Sequence, residues 1–464
     1  MQSSGLAALF ALLGLAWAVA KLAAKAVAWP FKAAFRVLAW VYRKFRISRL
    51  MERDYSRADE FDYPLLWLAV GLFVLGLLAI FSVNAELDPA VFEQIKSLPQ
   101  PSANESWVWR TKLYSSGEFL RQLGFGVGGA VVMAVLFRID GFLDWLERNA
   151  LWVGWLLFAA MAAAAFFGET RNGARRWLSF GGFSAQPAEF CKFGMCVLMA
   201  HYLSAKFSWR GWAGWGRFFF LLGVGAVGVA LSALTRDFGA LVIFSAIMFC
   251  CMTYRGMTFW QLGAMTLIGG AVAFVSVVSQ DHRIARLASF AKRTAGADNT
   301  LTQEGIARDI AQHVDAWGSG LGNSIQRTYM TQQSTDYVFA MIAEQLGAVG
   351  MLCVIAAFAL LIIRMAQIAY NSSNGEANFR SVCGVGVTTW FAVQTLIHIA
   401  VNVGGPSKGL TLPLVSYGGS SLVASIGAVA FMLMVDAENR RLDRRIHESE
   451  LAAQAASRVA VSGD

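Results

Sequence analysis

Long apolar runs separated by short polar segments fill most of the chain after residue 60. A helix needs about 20 apolar residues to cross the hydrocarbon core of a bilayer. On that template the pattern predicts an all-α fold, a polytopic transmembrane helical bundle with ten core spans. The predicted spans are residues 64–84, 119–139, 149–168, 187–206, 215–234, 238–254, 258–279, 337–364, 380–403 and 412–436. An extra N-terminal apolar helix, about residues 5–20, either crosses the membrane or lies in its surface.

Basic residues flank the predicted bundle at both ends. Ten Lys and Arg residues lie between Lys21 and Arg57, and four more lie between Arg440 and Arg445. Segments rich in Lys and Arg stay on the cytoplasmic side, so both ends lie inside, in agreement with an even number of core spans. The basic N-terminal stretch is typical of an amphipathic helix on anionic membrane lipids. The connections predicted to lie outside are residues 85–118, 169–186, 280–336 and 404–411.

One outer connection, residues 280–336, is far longer than the usual few residues, and such loops tend to be functional or disordered. Within it, QEGIARDIAQHVDAWG has helical spacing of Ile306, Ile310, His313 and Trp317. We therefore expect an ordered lid or platform before span eight. The predicted organisation is an N-terminal apolar and basic segment (1–60), a transmembrane domain (61–440) and a cytoplasmic tail (441–464).

Composition supports the membrane class. The chain is 56% hydrophobic and 15% charged, with a mean hydropathy of +0.50. The net charge of +9 is compatible with a partner that is a nucleic acid, an anionic lipid or an acidic ligand. In a membrane protein an anionic lipid or an acidic ligand is favoured, so no nucleic-acid partner is expected. All six cysteines fall in apolar runs, where they act as small hydrophobes. We expect no disulfide and no structural metal.

The sequence GARRWLSFGGFSAQPAEFCKF, residues 173–193, combines charge with an outer loop. Arg175 and Arg176 beside a tryptophan suit a phosphate at the membrane surface, or simply anchor the loop there. Glu189 and Lys192 are three residues apart on one helical face. An ion pair that makes two intramembrane charges tolerable is preferred there to direct chemistry.

Three further carboxylates are candidates for chemistry. Asp237, in TRDFG, is best explained as a cap of the helix that follows. Asp336, in STDYVFAMIAEQLG, lies where water, headgroups and a helix N-terminus meet, so it is either a general base for a sugar hydroxyl or a cap, with the cap slightly preferred. Glu344 follows inside the membrane, where a carboxylate is functional or part of an ion pair.

Two more groups of residues complete the candidates. Arg283 and Arg286 open the long loop and suit a pyrophosphate. The sequence GGPSKGLTLPLVSYGGSS, residues 404–421, places Gly, Pro and Ser at or near membrane depth. Irregular backbone there is tolerated only when it is buried in protein or lines a cavity.

These clusters, in this order, resemble motifs of the SEDS family, the shape, elongation, division and sporulation proteins that include FtsW, RodA and SpoVE. The resemblance rests on GARRW with QPAEFCK, on TDYVFAMIAEQLG and on PSKGLTLPLVSYGGSS, of which the last leans towards FtsW. It covers about residues 64–440. The resemblance implies a peptidoglycan glycosyltransferase that polymerises lipid II into glycan strands at the outer face of the bacterial cytoplasmic membrane, in cell division or cell-shape maintenance.

The resemblance also implies roles for residues. The family's essential aspartate matches Asp336, which would deprotonate the acceptor hydroxyl so that it displaces lipid pyrophosphate with inversion. A divalent cation, Mg or Mn, is left open, and no metal ligand is assigned. Expected partners are lipid II, membrane lipids and a class B penicillin-binding protein. Expected substrate-binding residues are Arg175, Arg176, Lys192, Arg283, Arg286, Ser416 and Tyr417, with Glu189, Asp237, Glu344 and Lys408 in support.

The chain departs from the family pattern at Ser334, where histidine is expected, and at Gln345 and His398, where glutamate and asparagine are common. Two other functions compete with the polymerase, namely a lipid II flippase and a non-catalytic scaffold for cell-wall synthases. A flippase places polar residues along a path across the bilayer, whereas a polymerase gathers them at the outer face. The predicted outer position of the candidates favours the enzyme.

Overall fold

The computed structural model describes residues 62–84, 117–171, 174–180, 183–278, 303–322, 324, 330, 332–372, 377–404 and 409–462. The predictions for the N-terminal segment 1–60 and for Arg283, Arg286 and Lys408 lie outside these residues.

The described residues form a largely helical protein. Its helices are α1 (Tyr63–Asn84), α2 (Gly117–Arg138), α3 (Phe142–Arg148), α4 (Ala150–Phe167), α5 (Pro187–Ser204), α6 (Gly211–Leu234), α7 (Phe238–Tyr254), α8 (Phe259–Val278), α9 (Gln303–Gln312), α10 (Val338–Asn371), α11 (Phe379–Asn402) and α12 (Gly419–Ser462). The last of these runs through the predicted tail boundary at residue 440 as one helix.

A helix occupies each of the ten positions at which a span is predicted, and the all-α membrane bundle is confirmed. Seven described helices, α1, α2, α4, α6, α10, α11 and α12, are long and apolar enough to cross a bilayer. Of the others, α7 has 17 residues and α5 carries both Glu189 and Lys192. The count of ten spans stays a prediction.

The centre of the bundle is formed by α5, α7 and α11, which pack on one another. Most side chains of α5 and α11 are buried, including Met195 and Trp390. Large apolar side chains on α4 and α6, such as Trp152 and Phe219, are exposed instead. An apolar exterior around a close-packed interior is what a lipid environment favours.

A small antiparallel sheet, which the sequence analysis did not predict, lies in the outer connection between α4 and α5. Its strands are β1 (Glu169–Arg171), β2 (Ala174–Phe180) and β3 (Phe183–Ala185), in the order β1-β2-β3. Gly168 joins α4 to β1, and a Cβ there would overlap the carbonyl of Ala164. The helix therefore passes into the sheet at a close backbone contact that a larger residue would block.

The end of the long outer loop is ordered and bonded to α10. Gly347 interrupts α10 with φ 70° and ψ −168°. The amides of Ser319 and Gly320 donate to carbonyls one turn before this kink, at 2.9 and 3.0 Å, and the amide of Ala348 donates to Asp315 at 2.9 Å. The loop thus satisfies backbone groups that the kink releases at membrane depth.

The predicted amphipathic helix of this loop is only partly confirmed. Ile306 and Ile310 lie on α9 and are buried in a cluster with Met341 of α10. The helix ends at Gln312, however, and the side chains of His313 and Trp317 are exposed. The predicted helical spacing is therefore wrong for His313 and Trp317, because the helix ends before them and the following residues hydrogen-bond to α10.

The opposite end of the bundle is held by buried charges. Asp62, just before α1, accepts from the Arg364 side chain at 2.6 Å and lies 3.7 Å from that of Arg440. Arg440 also pairs with the buried Asp436 at 2.5 Å. These contacts join α1, α10 and α12 at the end that the positive-inside tendency assigns to the cytoplasm.

Candidate active site

Asp336 lies in a turn immediately before α10, at the outer end of the bundle. Its amide donates to the carbonyl of Gln332 at 3.0 Å, and its carbonyl accepts from the Asn402 side chain at 3.0 Å. The oxygen of the same Asn402 amide accepts from Ala340 in the first turn of α10 at 2.9 Å. One buried side chain of α11 therefore fixes both the turn and the helix that follows.

The Asp336 carboxylate is not used as a cap, so the preference for a cap is wrong. Tyr337 is the N-cap residue of α10, and no side chain caps this helix. Within the part of the chain that the structure describes, no hydrogen bond to the half-buried carboxylate is found. Desolvation raises the pKa of Asp336 to about 6, against the opposing effect of the positive charge of Arg176. A carboxylate with this pKa can accept a proton near neutral pH.

The segment 409–418 packs across the Asp336 turn. Ser416 is buried, and its hydroxyl accepts from the Leu412 amide at 2.8 Å and donates to the Thr335 carbonyl at 2.6 Å. The amide of Tyr417 donates to the Ser334 carbonyl at 2.8 Å. The Ser416 side chain is thus engaged within the protein, and it positions the residue next to Asp336.

Gly409 is the closest backbone neighbour of the Asp336 carboxylate among the described glycines. A Cβ built there would overlap the carboxylate carbon and oxygens. We expect Gly409→Ala to displace this side chain and to lower the rate of the reaction that Asp336 serves by about tenfold or more, because misplacing a catalytic group by about 1 Å costs up to 10²-fold. The initial rate of the purified variant measures the effect.

Gly418→Ala is the matched control for this prediction. A Cβ at Gly418 would lie 3.6 Å from Thr411 and 3.8 Å from Ser421, which is ordinary contact. This variant, on the same segment, should keep a rate within about twofold of the wild type. Equal rates for the two alanine variants and the wild type would show that the Gly409 contact does not constrain the site.

Arg175 and Arg176 point in different directions from strand β2, as neighbouring residues of a strand do. The exposed Arg175 donates to the Thr170 hydroxyl of β1 at 3.4 Å and to the carbonyl of Phe166, at the end of α4, at 3.2 Å. Arg176 donates to the carbonyls of Thr235 at 3.0 Å and Arg236 at 2.6 Å. Arg176 is therefore the arginine whose charge reaches the Asp336 site.

Asp237 caps α7, as expected, through a bond of 3.2 Å from the Ala240 amide to its Oδ1. Its Oδ2 accepts from the Gln186 side chain at 3.3 Å. The amide of Gln186 in turn donates to the Ser420 hydroxyl at 3.0 Å. Asp237 thus links the start of α7 to the start of α5 and to the first turn of α12.

Lys192 and Glu189 form the expected buried ion pair, at 2.7 Å. Lys192, only 1% exposed, also donates to Gln394 Oε1 at 2.8 Å and lies over the Trp390 ring. The Gln394 amide donates to the carbonyl of Thr411 at 2.7 Å. The pair therefore supports the segment that carries Gly409 and Ser416.

The residues that depart from the family pattern all have partners in the structure. Ser334 donates to a Glu118 oxygen at 3.1 Å, and Gln345 accepts from Ser82 at 2.6 Å. The buried His398 ring contacts the carbonyl of Leu410 at 2.5 Å through Nδ1. Glu344 accepts a hydrogen bond from Ser324 and so belongs to the contact between the outer loop and α10.

Sequence reasoning missed three polar residues that hold the site. The Gln122 side chain of α2 donates to the Ser416 carbonyl at 3.0 Å and accepts from the Gly418 amide at 3.2 Å. Asn402 and Gln394 of α11 hold the Asp336 turn and Lys192. Each is an uncharged polar side chain inside a predicted span, and that is the signal that would have found them.

The described residues contain no group of three or more His, Cys, Asp or Glu side chains that is placed to hold a metal ion. The fold and the site together define a multi-pass membrane protein with a half-buried carboxylate of raised pKa and an arginine at the same end of the bundle. Residues 103–441 match the family of cell cycle proteins FtsW/RodA/SpoVE.

The relatives agree with this match. The chain is 32% identical over 413 residues to a probable peptidoglycan glycosyltransferase FtsW of Halomonas elongata, which covers 86% of this chain and 96% of the relative. It is 31% identical over 387 residues to the corresponding protein of Legionella pneumophila, covering 82% and 92%. The chain belongs to the FtsW/RodA/SpoVE family, and it is a multi-pass protein of the bacterial cytoplasmic membrane.

Two solved structures share the fold. The rod shape determining protein RodA of Thermus thermophilus matches 81% of this chain and 96% of its own, with a TM-score of 0.55 and 21% identity. A structure titled "Structural coordination of polymerization and crosslinking by a peptidoglycan synthase complex" contains a chain that matches 82% of this chain and 98% of its own, with a TM-score of 0.61 and 21% identity.

Proposed function

We propose that this protein is a peptidoglycan glycosyltransferase that polymerises lipid II at the outer face of the membrane, with Asp336 as the general base. The names of the relatives support the enzyme class. One observation carries the assignment of the base: the Asp336 carboxylate has a pKa of about 6 and lies at the outer end of the bundle. The turn and Asn402 hold its backbone in place.

In the proposed step, Asp336 accepts the proton of the acceptor GlcNAc 4-hydroxyl. The oxygen forms a bond to the anomeric carbon of the donor, and the bond from that carbon to the lipid pyrophosphate breaks with inversion. Pyrophosphate leaves as an anion, so it needs charge stabilisation more than a proton. A single carboxylate base is sufficient for this chemistry.

Arg176 is the residue we assign to the leaving group. Its hydrogen bonds to two carbonyls of the α6–α7 turn hold the guanidinium at the outer end. A guanidinium has five N–H donors in a planar fork that fits phosphate oxygens, so donors remain beyond these two bonds. Arg283 and Arg286, which the sequence suggests for the same task, lie outside the described residues. Lys192 supports the site through its bond to Gln394, which holds Thr411.

The rate should depend on pH through Asp336. Its pKa of about 6 lies above the model-compound value of 3.8. The protonated carboxyl cannot act as a base, so we expect the initial rate of polymerisation to rise with pH up to about 7 and then level. At pH 5 the rate should be about tenfold below the plateau, since about one site in ten is then ionised.

Arg176→Gln provides the control for the pH profile. The Arg176 charge lowers the pKa of Asp336, so its removal should move the midpoint to higher pH in addition to lowering the plateau. A rate that is constant between pH 5 and 7 in both proteins would contradict the assignment of Asp336 as the base.

A crosslinking partner completes the proposal. The structural neighbour belongs to a peptidoglycan synthase complex whose title couples polymerisation to crosslinking. We propose that this chain likewise works with a class B penicillin-binding protein, whose transpeptidase crosslinks the new strand. Co-purification with such a partner from the native membrane is the test, and recovery of the chain without any transpeptidase would contradict it.

The candidate site residues lie together at one end of the bundle, which favours a polymerase over a flippase, and the buried charges at the opposite end are paired with one another. Asp336, Arg176 and Asp237 lie at the outer ends of their helices or in outer connections. The ion pair of Glu189 and Lys192 lies within the first two turns of α5, at the same end. A site for transfer at the outer face needs this arrangement, whereas a path across the bilayer needs polar groups at successive depths.

A further inference from the structure

A cavity lies at the other end of α5 from the candidate active site. It has a volume of about 720 Å³ and is formed by the end of α5, the connector 205–210 and the first turns of α6. Helix α5 begins at Pro187, beside Asp237 and Ser420, and has 18 residues. A helix of that length spans about 27 Å, so the cavity lies about one bilayer core away from Asp336, at the cytoplasmic face.

Basic side chains line this cavity. Lys206, Arg210 and Arg217 are among the lining residues, and none of the lining residues is acidic. The guanidinium groups of Arg217 and Arg255 lie 4.3 and 4.8 Å from the centre of the Phe207 ring. Two like charges held against one ring repel each other, and an anion in the cavity would offset that repulsion.

Arg255 has a structural role that distinguishes it from the lining cations. Its side chain donates to the carbonyls of Leu203 at 3.0 Å and Ala205 at 3.3 Å, which are released at the end of α5. Arg255 thus completes the helix end. Arg210 and Arg217 line the open cavity, and Arg210 is exposed, so these two can reach an entering anion.

The surroundings of the cavity point to an amphiphile and not to a free anion. Phe220 lines the cavity and is 52% exposed, and the neighbouring Phe219 is also exposed on α6. Trp212, at the start of the same helix, is 92% exposed. Tryptophan concentrates at headgroup level, and the phenylalanines lie about two turns deeper, at the depth of acyl chains. The cavity therefore presents cations at headgroup level and apolar rings below them.

We propose that this cavity is a binding site for an anionic phospholipid of the cytoplasmic leaflet. The phosphate lies among Lys206, Arg210 and Arg217, and the acyl chains follow the exposed face of α6 along Phe219 and Phe220. Basic pockets between membrane helices on the cytoplasmic side recognise anionic headgroups in this way. The site is separate from the Asp336 site and does not depend on the proposed function.

The test measures lipid binding by the detergent-purified full chain. The protein is titrated with phosphatidylglycerol or with phosphatidylethanolamine, and native mass spectrometry detects the bound lipid. Each cation near a headgroup contributes about fivefold to affinity, so Arg210→Gln with Arg217→Gln should weaken phosphatidylglycerol binding by about 25-fold. The control pair, Arg138→Gln with Arg148→Gln, removes two exposed cytoplasmic-side cations outside the cavity. It should bind as the wild type does.

A second variant fills the cavity without changing its charge. Gly216 lines the cavity, and a Cβ there would meet nothing within 4 Å. Gly216→Phe should therefore fold and should weaken phosphatidylglycerol binding at least tenfold. Gly128→Phe is its control, because Gly128 is also exposed with open space around a Cβ, and it lies on α2, outside the cavity and away from the face of α6 that the acyl chains follow.

Several results would overturn the proposal. Equal binding of phosphatidylglycerol by the cavity variants and their controls would place the lipid elsewhere. Equal affinity of the wild type for phosphatidylethanolamine would remove the role of the cations. Displacement of phosphatidylglycerol by equimolar glycerol phosphate would identify a free-anion site, and stronger binding of an isoprenoid pyrophosphate would identify a substrate site.

Discussion

Asp336→Asn should reduce the initial rate of lipid II polymerisation by about a thousandfold, since general base catalysis contributes 10²–10⁴. Asparagine has nearly the shape of aspartate, and the backbone bonds of residue 336 to Gln332 and Asn402 do not involve the side chain. The substitution therefore removes the proton acceptor and leaves the turn. Polymer formed from labelled lipid II by the purified variant and wild type, resolved by length, measures the loss.

The stability of the same variant separates chemistry from folding. Desolvation disfavours the charged form of Asp336, which is why its pKa is raised. Replacing it with a neutral side chain should leave the thermal midpoint at pH 7.5 unchanged or higher. A variant that loses both activity and thermal stability would indicate a structural role for Asp336 instead.

Lys192→Met should lower the free energy of unfolding by about 3–5 kcal/mol, the usual cost of leaving one member of a buried ion pair without its partner. Lys192 and Glu189 are both buried, and Glu189 Oε2 already lacks a hydrogen-bond partner among the described residues. Removal of the ammonium leaves an uncompensated carboxylate. The midpoint of thermal unfolding in detergent, compared with that of the wild type, measures the change.

The double variant Glu189→Gln with Lys192→Met is the control. Replacing a buried pair by neutral groups is often close to neutral for stability, so the double variant should recover most of the loss. Its activity should stay low, because Lys192 also bonds Gln394, which holds the segment of Gly409. If the single and double variants unfold at the same temperature, the pair does not contribute as we describe.

The helices were predictable because each span needs a long apolar run. The predicted and observed bounds agree closely for 64–84, 149–168 and 238–254. The span predicted from residue 412 was less accurate, since α12 begins only at Gly419. Residues 412–418 are apolar enough to suggest a helix, but their backbone bonds to Ser334 and Gln122 instead, and the Ser416 hydroxyl bonds to Thr335.

The small sheet and the kink in α10 could not be predicted from local pattern. The strands have only three to seven residues each, which is too short for a repeating pattern of polar and apolar positions to be recognised. Gly347 lies in an apolar run that predicts an unbroken helix, and the break is compensated by residues 315–320 of a preceding loop. The kink therefore depends on contacts with another segment of the chain, which a local pattern does not reveal.

The residues of the candidate site were predictable from the sequence, but the contacts between them were not. Asp336, Arg176 and the pair of Glu189 and Lys192 were all identified from charge at the membrane surface and from motif resemblance. Their partners were not, because Gln122 is 294 residues from Ser416 and Lys192 is 202 residues from Gln394. A polar residue in an apolar run indicates a contact with another polar group, but the sequence alone does not identify the residue that provides that group.

Proteoliposomes that contain the purified protein, its transpeptidase partner and labelled lipid II distinguish a polymerase from a flippase when polymer and lipid translocation are measured in the same sample. We expect glycan polymer from the wild type and none from Asp336→Asn, with equal translocation in both. Translocation by the wild type without polymer, or equal polymer from both proteins, would contradict the proposed function.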